Sequence, residues 1–340
     1  MAFTIYLTRD FDQMSEVAAG LVVDDIRSRH ATAQDHVLGL ATGNTPTGLY
    51  KHLAKSVNAG TVDPGRVRTF NLDEYVGLPG TNAQQRALHP ESYSRFMVTE
   101  LFGLLTRPFA DSDLPWGTLV DQDELVRAIQ ARPELVTLRG TDLGKAVVIS
   151  PEADGVLGWI RDEVLAGYAA RIRAAGGIDL HVVGVGGRGH VAFHEAGIPF
   201  DAGDVILVRL DDDTVRNAVA DGHFTSEEES PRYAVSMGAE LVYRARRVLL
   251  LANGPRKTAP VAESVLGPVT PDVPISYGQR YVERGGELVY VLDEAAAADL
   301  MARREEVEKR GAVIVDVRSG PGGAVADLAF RRDPRTGRLG

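Results

Sequence analysis

Short β-branched runs alternate with stretches of helical spacing along most of the chain, a pattern that predicts repeated strand–helix–strand units. Residues 4–8 read as a strand, and Phe11, Met14, Val17, Ala18, Leu21, Val22 and Ile26 then keep one helical face behind a cap at Asp10. Residues 37–41 are the next strand. It runs into Thr42-Gly43-Asn44-Thr45-Pro46 and a helix through Leu49, Tyr50 and Leu53, with Thr45 expected as cap and Pro46 in the first turn. Residues 67–72 form a third strand that ends in Asp73-Glu74-Tyr75. From Pro151 an amphipathic helix is marked by Val156, Leu157, Ile160, Val164, Leu165, Tyr168 and Ile172, and the short β-branched run 178–183 comes next as a buried strand. Residues 205–210, 247–252 and 288–292 add further strands, the last followed by an Ala-rich helix from Glu294.

Two stretches break this alternation. Residues 106–150 carry Pro108, Asp111, Pro115, Gly117, Pro133 and Gly140 at irregular intervals, which predicts an irregular insertion with short helices, a lid or a contact surface. Near the end, 313–317 and 324–330 flank Ser319-Gly320-Pro321-Gly322-Gly323, which predicts a hairpin. The expected fold class is therefore α/β, Rossmann-like and layered around a mostly parallel sheet over residues 1–310, with the insertion inside it. A C-terminal β-hairpin extension over 311–340 completes it.

Composition narrows the function classes. At 340 residues, 44% hydrophobic and 25% charged, the chain has globular composition and enough apolar residues for a sizeable core. No run approaches the roughly 20 apolar residues of a membrane span, and Met1-Ala2-Phe3-Thr4 does not open a signal segment, so a soluble, cytoplasmic protein with no membrane partner is expected. The absence of cysteine excludes disulfides, thiolate catalysis and cysteine-ligated metal. A net charge of −10 argues against nucleic acid as a partner. An anionic ligand must then be met by a local set of donors.

The candidate donors lie at strand ends. Gly184-Val185-Gly186-Gly187-Arg188-Gly189-His190-Val191-Ala192-Phe193-His194-Glu195 follows the 178–183 strand, and glycines this dense allow positive φ and close approach of backbone to a ligand. His190 and Glu195 stand on that loop, where open α/β sheets keep their sites. The start of the helix after Thr42–Pro46 presents free N–H groups and hydroxyls suited to an anion, phosphate especially, or it is an ordinary capped helix. Lys257 in Asn253-Gly254-Pro255-Arg256-Lys257 is a second candidate anion donor or a surface lysine. Asp73 and Glu74 put two carboxylates at the edge of the sheet. Asp211-Asp212-Asp213 lacks the alternation of a calcium loop and reads as a helix cap, so no metal is expected.

Taken together these segments resemble the glucosamine-6-phosphate deaminases, within the wider group containing 6-phosphogluconolactonases, over about residues 5–292. Residues 39–46 look like the family's phosphate loop. Thr69-Phe70-Asn71-Leu72-Asp73-Glu74-Tyr75-Val76-Gly77-Leu78 with His89-Pro90-Glu91-Ser92-Tyr93 is the most specific match, and the 184–195 loop is similar to the family's Gly-x-Gly-x-Asp-Gly-His-x-Ala-Phe-Asn-Glu. Pro231, Ala234, Ser236 and Gly238, then Gly254 and Lys257, fit the next landmarks. The resemblance implies a Rossmann-like fold, no cofactor and no metal, a phosphorylated sugar substrate and a homo-oligomer. It also implies Asp73 as carrier of a proton from C2 to C1, His190 as ring-opening acid or base and Glu195 as its carboxylate partner. Lys257 with Thr42, Gly43, Asn44 and Thr45 becomes the phosphate clamp; Glu74, Gly186, Gly187, Arg188 and His194 complete the expected substrate contacts.

The chain also departs from the family. Arg188 stands where the family has Asp or Asn, and His194 where it has Asn before Glu. After Glu195 the basic pattern of the bacterial allosteric phosphate site is replaced by Ala196-Gly197-Ile198-Pro199-Phe200, which predicts loss of that site. The family's second phosphate arginine has no secure counterpart around Thr214-Val215-Arg216-Asn217-Ala218. Three readings remain open: a deaminase; an isomerase, dehydratase or lactonase on another sugar phosphate; or a non-catalytic sugar-phosphate sensor. Arg188 cannot accept a proton. Near the imidazole it would lower the His190 pKa or bind a ligand anion, and otherwise it would point to solvent.

Overall fold

Strands that are apolar on both faces need cover on both sides, and the fold supplies it. In the computed structural model, which describes residues 3–220, 222–328 and 330, the strands run β1 (Phe3–Thr8), β2 (His36–Leu40), β3 (Val67–Asn71), β4 (Asp73–Val76), β5 (Asp111–Asp113), β6 (Val136–Thr141), β7 (Gly144–Ile149), β8 (Leu180–Val183), β9 (Val205–Arg209), β10 (Tyr233–Met237), β11 (Arg247–Ala252), β12 (Glu287–Asp293) and β13 (Val313–Asp316). Eight of them form one parallel sheet in the order β13-β1-β12-β11-β8-β2-β3-β5. The other five form an antiparallel sheet, β4-β10-β9-β7-β6.

Alternation along β11 and β12 shows the layering. Val248, Leu250, Leu288, Tyr290 and Leu292 belong to a core shared with the helical stretch spanning Ile160, Val164, Tyr168 and Ile172. Leu249, Leu251, Val289 and Val291 belong to a core on the opposite face, closed by Met14, Val22 and Ile26 of the Phe11–Ala31 helix and Leu49, Leu53 and Val57 of the Thr47–Asn58 helix. Burying each such side chain contributes about 1.5–3 kcal/mol before chain entropy is set against it. A third, aromatic cluster of Tyr75, Phe193 and Phe224 with Ile206 and Val208 lines the second sheet.

Several expectations are corrected. Among the described residues the C-terminal hairpin does not form: β13 pairs in parallel with β1, and the short turn Val325–Asp327 is the one helical or strand element described beyond it, positions 329 and 331–340 of the expected extension lying outside the described residues. The physical reason is that the carbonyls of Val317, Gly320 and Pro321 are taken by the side chain of Gln13 instead of by a returning strand. The insertion is more regular than its prolines suggested, holding β5, the helix Gln122–Ala131 and a β6–β7 hairpin turned at Asp142–Leu143. The helix expected from Pro151 starts at Gly155 and passes through a π-type stretch at Ile160–Ala166.

Leu72 joins the two sheets. Its amide donates to the Leu40 carbonyl at the end of β2 (3.0 Å), and its carbonyl accepts from the Met237 amide at the end of β10 (2.8 Å). Asp73 is therefore the first residue of the second sheet, set at the carboxyl edge of the first. Among the described residues no helix is long and apolar enough to cross a membrane, and no group of three or more His, Asp or Glu side chains is arranged to hold a metal.

Candidate active site

Chain direction places the site. From β2 the chain moves to β3 on one side, while β8 on the other side of β2 leads on to β11, so the loops after β2 and β8 part over a crevice. Open parallel sheets bind ligands at such a crevice, beyond the carboxyl ends of their strands. The four neighbouring strands β11-β8-β2-β3 deliver Lys257, the glycine-rich loop, the Thr42–Pro46 loop and Asp73 to that one edge.

The Thr42–Pro46 loop turns at Gly43, whose φ of +91° favours glycine. The helix behind it begins at Thr47, with Pro46 at the cap position and no side-chain cap. Thr45, expected to be that cap, instead donates its hydroxyl to Asn253 Oδ1 at the end of β11 (2.8 Å). That bond ties the first loop to the loop carrying Lys257. The second loop is braced at Gly254, whose amide donates to both oxygens of Asp293 at 3.0 Å.

In the glycine-rich loop the Gly186 amide donates to the His190 carbonyl (3.0 Å), folding the imidazole back over Gly186. A Cβ at position 186 would lie 1.9 Å from His190 Nε2, so only glycine leaves room for the ring. Burial, with the Lys257 ammonium second, pushes the His190 pKa down to about 4. The imidazole is thus neutral near pH 7, able to accept a proton or share one in a hydrogen bond. Gly187 is exposed beside it.

Asp73 is 5% exposed, and its Oδ1 is buried with no hydrogen-bond partner. Burial first, and the charge of Glu74 second, hold its carboxyl well above the usual range, while the Phe193 amide of the glycine-rich loop donates to it and opposes the rise. Phe193 also donates to Ser236 Oγ (3.0 Å) and stacks on Tyr93 at 5.8 Å with a 3° interplanar angle. The Tyr93 hydroxyl meets the side chains of Thr42 and Tyr75. One connected set of contacts therefore links the Thr42 loop, Asp73 and the histidine loop.

Two of the expected substrate contacts are corrected. Glu74 is fully buried, and its oxygens accept from the amides of Tyr75, Tyr93 and Ser94 and from the hydroxyls of Ser92 and Ser94. It anchors the start of the Tyr93–Glu100 helix and so sets Tyr93 in place. His194 is likewise fully buried. Its Nδ1 accepts from the Ala239 amide (3.1 Å) and its Nε2 faces the Ile198 carbonyl (3.0 Å), leaving no ring nitrogen for a ligand.

Glu195 does not face His190 in the way expected. Its carboxylate accepts from the Thr214 hydroxyl (2.5 Å) and the Asp211 amide (2.7 Å), and burial, as the largest cause, raises its pKa to about 7. Arg188 neither approaches the imidazole nor stands free in solvent. It pairs with Asp211 at 2.8 Å and with Asp213, so that the glycine-rich loop is latched to the start of the Asp212–Ala220 helix. Sequence reasoning missed Tyr93, Asn253 and Thr214 as members of this site. The first two had a signal, Tyr93 lying in the most specific matched segment and Asn253 directly before Gly254 at a strand end.

No family model matches the chain. It is 34% identical over 299 residues to a glucosamine-6-phosphate deaminase of Rhodopirellula baltica, covering 88% of this chain and 96% of that protein. It is 32% identical over 296 residues to one of Clostridioides difficile, covering 87% and 96%. The solved structure of a monomeric glucosamine-6-phosphate deaminase superposes with a TM-score of 0.64 at 23% identity, covering 87% of this chain and 99% of that one. A 6-phosphogluconolactonase of Trypanosoma cruzi has the same fold, with a TM-score of 0.55 at 20% identity over 88% and 98%.

Proposed function

The chain belongs to the glucosamine-6-phosphate deaminase family, and from that premise we propose that it converts glucosamine-6-phosphate and water to fructose-6-phosphate and ammonia. The observation that carries the reading is Asp73, a buried carboxylate with one oxygen unpaired, tied through the Phe193 amide to the loop that bears His190. An acid kept from its usual partners and raised in pKa is suited to take a proton from carbon and return it.

In this reading the phosphate lies between the Thr42–Thr45 loop and Lys257, which the bond from Thr45 to Asn253 holds at a set separation. His190, neutral near pH 7, moves the proton that opens the pyranose ring. Asp73 then takes the proton from C2 and delivers it to C1, and water releases ammonia from the imine at C2. Arg188 and Glu195 hold the loop that presents His190 and do not themselves bind substrate. A homo-oligomer and a cytoplasmic place of work belong to the same reading.

Incubation of the protein with glucosamine-6-phosphate in heavy water tests it. The expected result is ammonia and ketose in equal amounts with deuterium appearing at C1. Turnover without ammonia would overturn it. A second reading, hydrolysis of a phosphorylated sugar lactone, is favoured by one feature: Glu195 is committed to Thr214 and Asp211, and the charge acting on His190 is that of Lys257. Release of acid from 6-phosphogluconolactone, with no ammonia from the amino sugar, would select it.

A further inference from the structure

The last part of the described chain does more than end the fold. After β13 the backbone leaves the sheet edge, the Val317 amide still bonded to the Leu7 carbonyl (3.0 Å), and crosses the amino-terminal turn of the Phe11–Ala31 helix. Gln13, 1% exposed, donates through Nε2 to the Val317 carbonyl at 2.8 Å and to the Gly320 carbonyl at 3.2 Å, while Arg9 donates to the Arg318 carbonyl at 2.9 Å. Glu16 then accepts from the Gly323 amide (2.9 Å) and Asp12 from the Val325 amide (3.2 Å). Apart from the backbone bond of Val317 to Leu7, each bond joins the strap to a side chain of the first helix or of the residues just before it.

Val325 is the end of this path. It is 8% exposed and lies over Gly48, in the first turn of the helix that follows the Thr42–Pro46 loop. A Cβ at Gly48 would stand 3.0 Å from Val325 Cγ2 and 2.2 Å from Ser15 Oγ, so the first turn is held between the first helix and the strap. Ser15 Oγ is buried there without a partner. A polar atom left unpaired in this way is costly, and it is accepted where close packing is required.

We propose that the strap over residues 317–327 positions the phosphate-binding loop, with Val325 as its contact residue. This rests on the reading of Thr42–Thr45 as a phosphate site and adds to it a positioning element supplied from the far end of the chain. A loop pinned from behind by Val325 loses less freedom when it closes its amides on an anion, so the strap acts on ligand affinity and leaves the proton transfers at Asp73 and His190 untouched.

The test uses the full chain and inorganic phosphate as a probe, measured by calorimetry and as a competitive inhibitor. Val325→Ala and Val325→Asp are expected to weaken phosphate binding and raise KM by about three- to tenfold with kcat held within about twofold, and Val325→Ile is expected to restore both. If Val325→Asp fails to fold, Glu16→Gln, which weakens the hold on the Gly323 amide, is expected to shift KM in the same direction by a smaller factor. Unchanged phosphate affinity in Val325→Ala and Glu16→Gln, with Lys257→Ala clearly weakened, would overturn the strap's role while keeping the phosphate site. Unchanged affinity in Lys257→Ala would remove the phosphate site and the strap proposal together. Equal loss of kcat and affinity in the Val325 variants would mark a merely structural contact and overturn the positioning role.

Discussion

Two buried aspartates, at opposite edges of the same parallel sheet, are treated in opposite ways. Asp25 lies at the amino edge, where His36 begins β2 and Arg247 begins β11. It meets His36 at 2.8 Å, Arg246 at 2.6 Å and Arg247 at 3.3 Å, while Arg247 also pairs with Glu287. Burial alone would raise its pKa, but the bonds from His36 and Arg246 outweigh it and the net displacement is downward. Asp73, at the carboxyl edge, has one oxygen unpaired, a neighbouring carboxylate and a pKa displaced upward. The lesson is that a buried acid whose oxygens are satisfied serves the fold, while one left short of partners is available for chemistry.

The contrast breaks most visibly at Asp25. Asp25→Asn removes the anion that faces three cationic or potentially cationic groups, two of them partly exposed, and is expected to cost about 2–3 kcal/mol near neutral pH with turnover unchanged. Because the folded pKa is depressed, the charge stabilises the fold above the ordinary carboxylate range, and that contribution disappears as pH falls through the folded value. Chemical denaturation of both proteins at neutral and acid pH should therefore give curves that converge in acid. A gap of equal size at both pH values would mean that packing, and not charge, holds this edge together.

The carboxyl edge is sharpened by Lys257→Ala, which is expected to weaken phosphorylated ligands by about tenfold and to leave their unphosphorylated counterparts nearly unaffected, as titration calorimetry would register. Equal losses for both would separate Lys257 from the phosphate. The smallest effect concerns the latch. Arg188→Ala breaks ion pairs that are partly exposed, so stability should change by less than about 1 kcal/mol. The arginine's charge lowers the Glu195 pKa, so its removal should move that group upward from about 7 and carry any limb of the pH–activity profile that Glu195 controls in the same direction. A limb that moves down would put Arg188 elsewhere in the electrostatics of the site.

The parallel layers and the strand ends were legible because they depend on local pattern: β-branched runs, glycines after strands and a proline at a helix start. The loop positions of Gly43, Gly186 and His190 follow from the same signals. The features that could not be read depend on partners distant in the chain. Nothing near Glu74 in sequence announces that the start of the Tyr93–Glu100 helix will absorb its carboxylate, and His194 is spent on an amide at Ala239, across the sheet boundary. Arg188, judged against one neighbouring histidine, finds its acids at Asp211 and Asp213 instead. The tail misled for a related reason. Its glycine-rich turn has hairpin composition, but Gln13 captures the carbonyls that a hairpin would have used.

If Asp73 is held short of partners for the sake of proton transfer, it should weaken the fold that carries it. Its raised pKa makes the ionised form unfavourable in the folded state. Its contribution to stability is therefore present below the ordinary aspartate pKa and lost as pH rises through the folded value, and an amide at this position escapes that loss. The most direct measurement is the thermal midpoint and the ammonia-release rate of Asp73→Asn against wild type, on one preparation at neutral pH. The expected result is a midpoint higher by roughly 2–5 °C together with loss of turnover by at least about a thousandfold. A lower midpoint, or turnover close to that of the wild type, would contradict it.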